Sequence, residues 1–266
     1  MSPNLSRRSM APIIPMGIES SQLLLLLTWM SPAFPTGAFA YSHGLEWAIE
    51  DGIVQSAEDL QGWIEDLITR GSGWNDAVLF SRCWDEDGGA LNELALALAA
   101  SRERHLETTQ LGQAFTIAAR GFFPSPLAGE EPAPDLIRGG RRPDEGNSRH
   151  GPSPAASRHP LPQGERGHLA YPVAAGTSCA AMGIERTHAL LAFLQGFSSA
   201  LVSVAVRLIP LGQTRGLEVI RDLMPVIAAT ASRAASATLD DLGAITLAAD
   251  IAAMKHETQT SRVFRT

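Results

Sequence analysis

Apolar positions along this chain recur at helical rather than strand spacing. Leu60, Trp63, Ile64, Leu67 and Ile68 follow one another at intervals of three and one, which lays a single stripe along one helix face. Ser56-Ala57-Glu58-Asp59 stands in front of them. It reads as a capping box, with a hydroxyl for the first-turn amides and an acid at the positive helix end. The run Leu23-Leu24-Leu25-Leu26-Leu27 predicts a core helix over 20–30, closed by Ser31-Pro32. Asn75-Asp76 predicts the cap of a helix that carries Val78, Leu79 and Trp84 and stops at Gly88-Gly89. Residues 90–120 read as one or two helices, with Ser101 as the break. From Thr187 to Leu208 the chain is nearly uncharged. A helix apolar around most of its circumference is buried on most sides, so this is the expected central helix, ended by Pro210. Another follows through Leu217, Ile220, Leu223 and Ile227 with a bend at Pro225. The last starts at a second capping box, Thr238-Leu239-Asp240-Asp241, and runs to about Lys255. Period-two alternation is absent, and alanine and leucine, both strong helix formers, dominate. The fold class expected is all-α, a single compact domain over 19–266 with roughly eight to ten helices.

Two stretches fall outside that pattern. Residues 124–167 hold nine of the chain's 17 prolines and seven glycines, with six acids against six arginines. Such a segment cannot bury enough apolar surface to offset its ordering entropy. We therefore expect a disordered insertion over 123–167 between two helices, and its second half resembles translated copies of a mobile intergenic repeat. At the N-terminus, Arg7-Arg8, the leucine run and Ala38-Phe39-Ala40 together imitate an export signal with a cleavage site. Pro12, Pro15, Gly17 and Glu19 interrupt the apolar region, and the run is far short of the roughly 20 residues that span a bilayer. Residues 1–18 are expected to be a flexible tail.

Composition narrows the function. The 266 residues are 45% hydrophobic and 18% charged, with net charge -7. A nucleic-acid footprint needs clustered positive charge, so DNA and RNA are disfavoured as partners. Cys83 and Cys179 stand 96 positions apart with no Cys-x-x-Cys, which excludes a disulfide framework and leaves structural zinc unsupported. Two buried free thiols in a reducing cytoplasm are the simplest reading. A P-loop, His-Glu-x-x-His and Gly-x-Ser-x-Gly are all missing, and no catalytic pair of acids stands out. The chain is expected not to be an enzyme and to hold no cofactor stably.

Two segments remain. Ser31-Pro32-Ala33-Phe34-Pro35-Thr36-Gly37-Ala38-Phe39-Ala40-Tyr41-Ser42-His43-Gly44-Leu45-Glu46 joins a stiff proline turn to Gly37 and then to a helix start. Read for structure, it is a helix-helix corner with Gly37 left-handed and Ser42 as cap. Read for chemistry, Tyr41, Ser42 and His43 offer a nucleophile and base, though side chains adjacent on one turn rarely face each other. The other segment is the tail from His256-Glu257-Thr258-Gln259 through Ser261-Arg262-Val263-Phe264-Arg265. Either it frays, or its Arg and Phe dock on a partner, both types being common at interface hot spots. His43 and His256 are the only metal-ligand candidates near these motifs, and an ordinary hydrogen-bonded role is simpler for each.

Ser-Pro-x-x-Pro-x-Gly-x-Phe-x-Tyr-Ser-x-Gly-Leu-Glu at 31–46 resembles the opening motif of the urease accessory protein F family. Val206-Arg207-Leu208-Ile209-Pro210-Leu211-Gly212-Gln213-Thr214, Thr238-Leu239-Asp240-Asp241 and the 256–265 tail are similar to that family in the same order. The resemblance covers about 20–122 and 168–266 and departs at the insertion. It implies a non-enzymatic, cytoplasmic chaperone for nickel insertion into apo-urease, with nickel at most in transit. The implied assembly is a homodimer bridging the D-type (also called H-type) accessory protein and the G-type GTPase, with no membrane or nucleic acid involved. It places Pro35, Gly37, Tyr41, Ser42 and Glu46 at a protein interface, and Arg207 and Gln213 near the assembly's polar interior. His256, Glu257, Ser261, Arg262, Phe264 and Arg265 would engage the D-type partner. On this reading the tail is an unpaired segment, and deleting 256–266 should leave a folded helical protein. The alternative is an exported helical protein or small hydrolase using Tyr41, Ser42 and His43.

Overall fold

The computed structural model describes residues 17–123, 169–243 and 245–265. The expectations for the N-terminal tail and for the 123–167 insertion lie almost wholly outside these residues. Among the described residues there are ten α-helices and no strand, so the all-α expectation holds. In chain order they are α1 (Ser20–Trp29), α2 (Leu45–Glu50), α3 (Ala57–Arg70), α4 (Ser72–Arg82), α5 (Gly88–Ala97), α6 (Arg102–Ala119), α7 (Tyr171–Ala181), α8 (Arg186–Leu208), α9 (Gly212–Ser236) and α10 (Leu247–His256).

Local chemistry sets most of these bounds. Ser56 accepts from the Asp59 amide while Asp59 reaches back to the Ser56 amide, so the capping box of α3 forms as expected. All five residues of its apolar stripe are buried. Ser101 is not merely a break, because its hydroxyl caps α6 at the Arg104 amide. Three expectations fail at boundaries. Asn75 and Asp76 lie inside α4, whose cap is Gly71. Gly88-Gly89 opens α5, because the Asp87 carboxylate caps the Gly89 and Ala90 amides. The Thr238 capping box forms but leads only into the short turn Leu239–Asp241. Leu242 is then extended and Gly243 left-handed (φ 99°), so α10 starts anew at Leu247.

The central helix is α8, packed against α2, α3, α4, α7 and α9. By length and hydropathy it could cross a membrane, yet half of its most apolar window is buried inside this bundle. Its Phe193 stacks on Phe80 of α4 at 4.7 Å between ring centroids. α9 runs through Pro225 as one helix. α1 is only half a core helix: Leu26 and Trp29 are buried, while Leu24 and Leu27 are 64% and 63% exposed. Cys83 and Cys179 are free and buried, and burial pushes the Cys83 thiol up to about 12, which makes it a poor nucleophile at neutral pH.

The last helix, α10, packs on α2 and α6. It comes so near α2 that a Cβ on Gly44 would stand 2.7 Å from the Ala253 amide nitrogen. Gly44 is also left-handed (φ 77°), a conformation that costs other residues roughly 1–2 kcal/mol. Gly44→Ala should therefore destabilise the fold by about 3 kcal/mol once overpacking is added. Thermal melting checks this, and a change below about 1 kcal/mol would show that α10 can simply shift away.

Candidate partner interface

The 31–46 segment begins as an exposed turn and ends in the core. Pro35 is exposed, Gly37 is left-handed (φ 79°) as expected, and Ala38–Ala40 make one 3-10 turn. Tyr41, Ser42, His43 and Glu46 are all buried. The cap of α2 is Gly44 rather than Ser42. Tyr41 donates to Gln110 Oε1 at 2.5 Å. Burial raises its pKa, and the hydrogen-bonded Arg265 pulls it back.

His43 faces elsewhere. It is left-handed (φ 57°), rare outside glycine, and two contacts hold it there. Its Nε2 shares a 2.5 Å hydrogen bond with Ser72 Oγ, and its Nδ1 lies 3.5 Å from Glu107 Oε1. Burial, helped by the charge of Arg104, lowers the His43 pKa and favours the neutral ring. Tyr41 and His43 thus serve different partners instead of forming a nucleophile and base. Beside His43, Arg104 reaches Glu107 at 2.5 Å and Asp76 at 3.6 Å.

The tail is where the sequence reading needs its main correction. It is not an unpaired segment. His256, the last residue of α10, is 0% exposed. Its Nε2 lies 3.1 Å from Glu46 Oε2 and its Nδ1 lies 2.7 Å from Glu103 Oε2. Glu103 also accepts from Arg262 at 2.5 Å. Glu46 accepts from the Val263 and Phe264 amides at 2.6 and 2.9 Å. His256 and Arg262 thus converge on Glu46 and Glu103, and Glu46 is held by the tail backbone as well. Glu257 accepts from the Arg102 amide at 2.8 Å, so the tail satisfies one of the first amides of α6 that no intrahelical carbonyl can reach.

The last residues lie against the 31–46 turn. Phe264 is 4% exposed, with the Arg207 guanidinium 4.6 Å from its ring centroid. Arg207 donates to the Phe39 carbonyl at 3.3 Å, and the Arg265 amide donates to the Ala40 carbonyl at 2.8 Å. One seam thus unites the buried Tyr41, Glu46, His256 and Phe264 with the exposed Arg207, Glu257, Arg262 and Arg265. Pro35, Ser261 and Gln213 are exposed outside it, Gln213 in the first turn of α9. Sequence reasoning missed Glu103, Arg104, Glu107 and Asp76. The available signal was Arg102-Glu103-Arg104 with Glu107 four residues after Glu103, a dense charge group in an alanine-rich chain.

Both ring nitrogens of His43 and of His256 are engaged by protein groups. Among the described residues no group of three or more His, Cys, Asp or Glu side chains has the geometry of a metal site.

Fold and seam together define an all-α bundle whose most elaborate polar structure ties its own C-terminus to an early turn. The UreF family profile matches residues 54–224. The urease accessory protein UreF of Brucella ovis is 42% identical over 251 residues, covering 92% of this chain and 95% of that protein. The proteins of the same description from Mesorhizobium japonicum and Rhizobium etli are 42% and 44% identical over 252 residues, each covering 93% of this chain and 97% of the relative. The chain belongs to the UreF family of urease accessory proteins.

Proposed function

We propose that this chain is a non-enzymatic scaffold for nickel insertion into apo-urease. It bridges the D-type accessory protein and the G-type GTPase as a cytoplasmic homodimer, and nickel passes without a resident site. The observation that carries the reading is the joining of two far-apart motifs, 31–46 and 256–265, into one face. Phe39 and Val263 stand out from that face 68% and 72% exposed, although both are apolar and neither is needed by the core. A preorganised surface with protruding apolar side chains suits a protein partner, since ordering costs have already been met within the fold.

The test is complementation of a urease-producing strain that lacks its own UreF. The full chain should restore urease activity and urease-bound nickel. Val263→Glu should melt like the parent, yet restore at least about ten-fold less activity and lose co-purification with the D-type protein, the loss of one hot-spot contact. Nickel loading by Val263→Glu equal to the parent would remove this face from the interface. Failure of the parent chain, both intact and lacking 124–167, would overturn the scaffold reading itself.

A further inference from the structure

Ser42-His43-Gly44-Leu45 is a tight turn in which the Leu45 amide donates to the Ser42 carbonyl at 3.0 Å. Both central residues are left-handed, His43 at φ 57° and Gly44 at φ 77°, the pattern of a type I′ turn. Gly44 suits the second central position, but Asn, Asp and Gly are the usual residues at the first. A histidine there holds a backbone conformation that costs it free energy. Such outliers persist only where the surroundings over-determine them.

Here the surroundings are the contacts of the ring. His43 is buried, and its side chain reaches three helices at once. Glu107 of α6, kept ionised against burial by Arg104, lies 3.5 Å from Nδ1. Burial favours the neutral His43 ring. An ionised carboxylate can only accept, so the ring carries its proton on Nδ1, and Nε2 accepts from the Ser72 hydroxyl of α4 at 2.5 Å. Phe197 of α8 meets the ring edge-on, with 5.1 Å between centroids and 89° between planes. The backbone of α10 closes the other side of the turn at Gly44. The turn leads directly into α2, and Glu46 lies in the first turn of that helix. Glu46 is the acceptor for the Val263 and Phe264 amides. The ring thus fixes the start of α2, and the start of α2 carries the carboxylate that holds the tail.

We propose that His43 is a positioning residue of the partner face and acts through Glu46. Its ring clamps the 42–45 turn to α4, α6 and α8, so that the Glu46 carboxylate meets the tail amides and Val263 projects from the fold. The role of that face rests on the scaffold reading, whereas the clamp is a property of this chain alone.

His43→Asn separates the ring from the backbone, because Asn is at home in a left-handed turn position. Hydrogen exchange of the purified full-length variant should show the Val263 and Phe264 amides exchanging at least about ten-fold faster than in the parent, as the loss of one or two buried hydrogen bonds implies. Ser72→Ala keeps the ring and removes only the Nε2 partner. It should speed the same two amides about three-fold, while the amides of Leu194 and Leu201, buried in α8, keep the parent's rates. The proposal is overturned if both tail amides of His43→Asn exchange at the parent's rates. It is equally overturned if they accelerate by the same factor as Leu194 and Leu201, which is what a merely structural role would give. Were His43→Asn unable to fold, Ser72→Ala would decide, and parent rates at Val263 and Phe264 in that variant would overturn the proposal. The measurement needs no partner, so its failure is distinct from that of the scaffold reading, which complementation tests.

Discussion

His256→Ala will lower stability by about 3–5 kcal/mol, because it strips the shared hydrogen-bond partner from the buried Glu46 and the half-buried Glu103. Glu46 and Glu103 face the ring from opposite sides at 3.1 and 2.7 Å, and only Arg262 would remain to neutralise them. Glu46→Ala should cost about as much by another route. It frees the Val263 and Phe264 amides and leaves the His256 ring with Glu103 alone. The double variant should cost clearly less than the sum, since the second substitution removes the group that the first left unpaired. Urea denaturation measures all three, and hydrogen exchange at the Val263 and Phe264 amides reports whether the tail opens first. A His256→Ala loss below about 1 kcal/mol would mean that the tail carries no share of the fold's stability. The same seam changes how truncation is read. Deleting 256–266 removes the hub residue itself, so the shortened chain should be unstable, and lost partner binding could not be told from lost structure. Point changes at the exposed Val263 avoid that ambiguity.

How much of this the sequence carried depends on the range of the interactions. The α3 stripe and its capping box are settled within about a dozen residues, and both are where periodicity and cap chemistry place them. The central helix was equally legible, because uniform apolarity over more than five turns has one cheap solution in a globular chain. The failures lie where a local signal admits two outcomes. A glycine pair can end a helix or begin the next, and Asp87 decided for the second by capping α5. A capping box fixes one turn but not the helix beyond it, and the left-handed Gly243 stopped the one at Thr238. The site divided the same way. Tyr41, Glu46, Arg207 and the tail were identified by motif, yet each motif was read separately. Nothing in the spacing says that Glu46 accepts from residues 263 and 264, more than two hundred positions away. Nor could the pattern reveal that Glu103, on a helix singled out for no chemistry, binds both His256 and Arg262.

The pH response should separate Asp76 from Glu107, because one guanidinium sits between both carboxylates and favours one. Burial, and after it the charge of Glu107, raises Asp76 to about 6 from a usual 3.8, although Arg104 opposes the rise. Burial acts on Glu107 too, but the closer Arg104, with His43 bonded beside it, outweighs burial and brings Glu107 down to about 2 from 4.5. The signs are opposite. The fold opposes ionisation of Asp76, so its contribution is best below pH 3.8 and is lost as pH rises through about 6. The fold favours ionised Glu107, so its contribution is complete above pH 4.5 and is lost as pH falls toward about 2. Each shift corresponds to about 3 kcal/mol. Asp76→Asn should therefore stabilise the protein by about 2 kcal/mol near pH 8, with most of that gain gone near pH 4. Glu107→Gln should destabilise by about 3 kcal/mol at neutral pH, a deficit that narrows only below about pH 4. Urea melts of both variants against the parent across this range give the two curves. An Asp76→Asn gain that is the same at both ends would show that packing, not the buried charge, sets its sign.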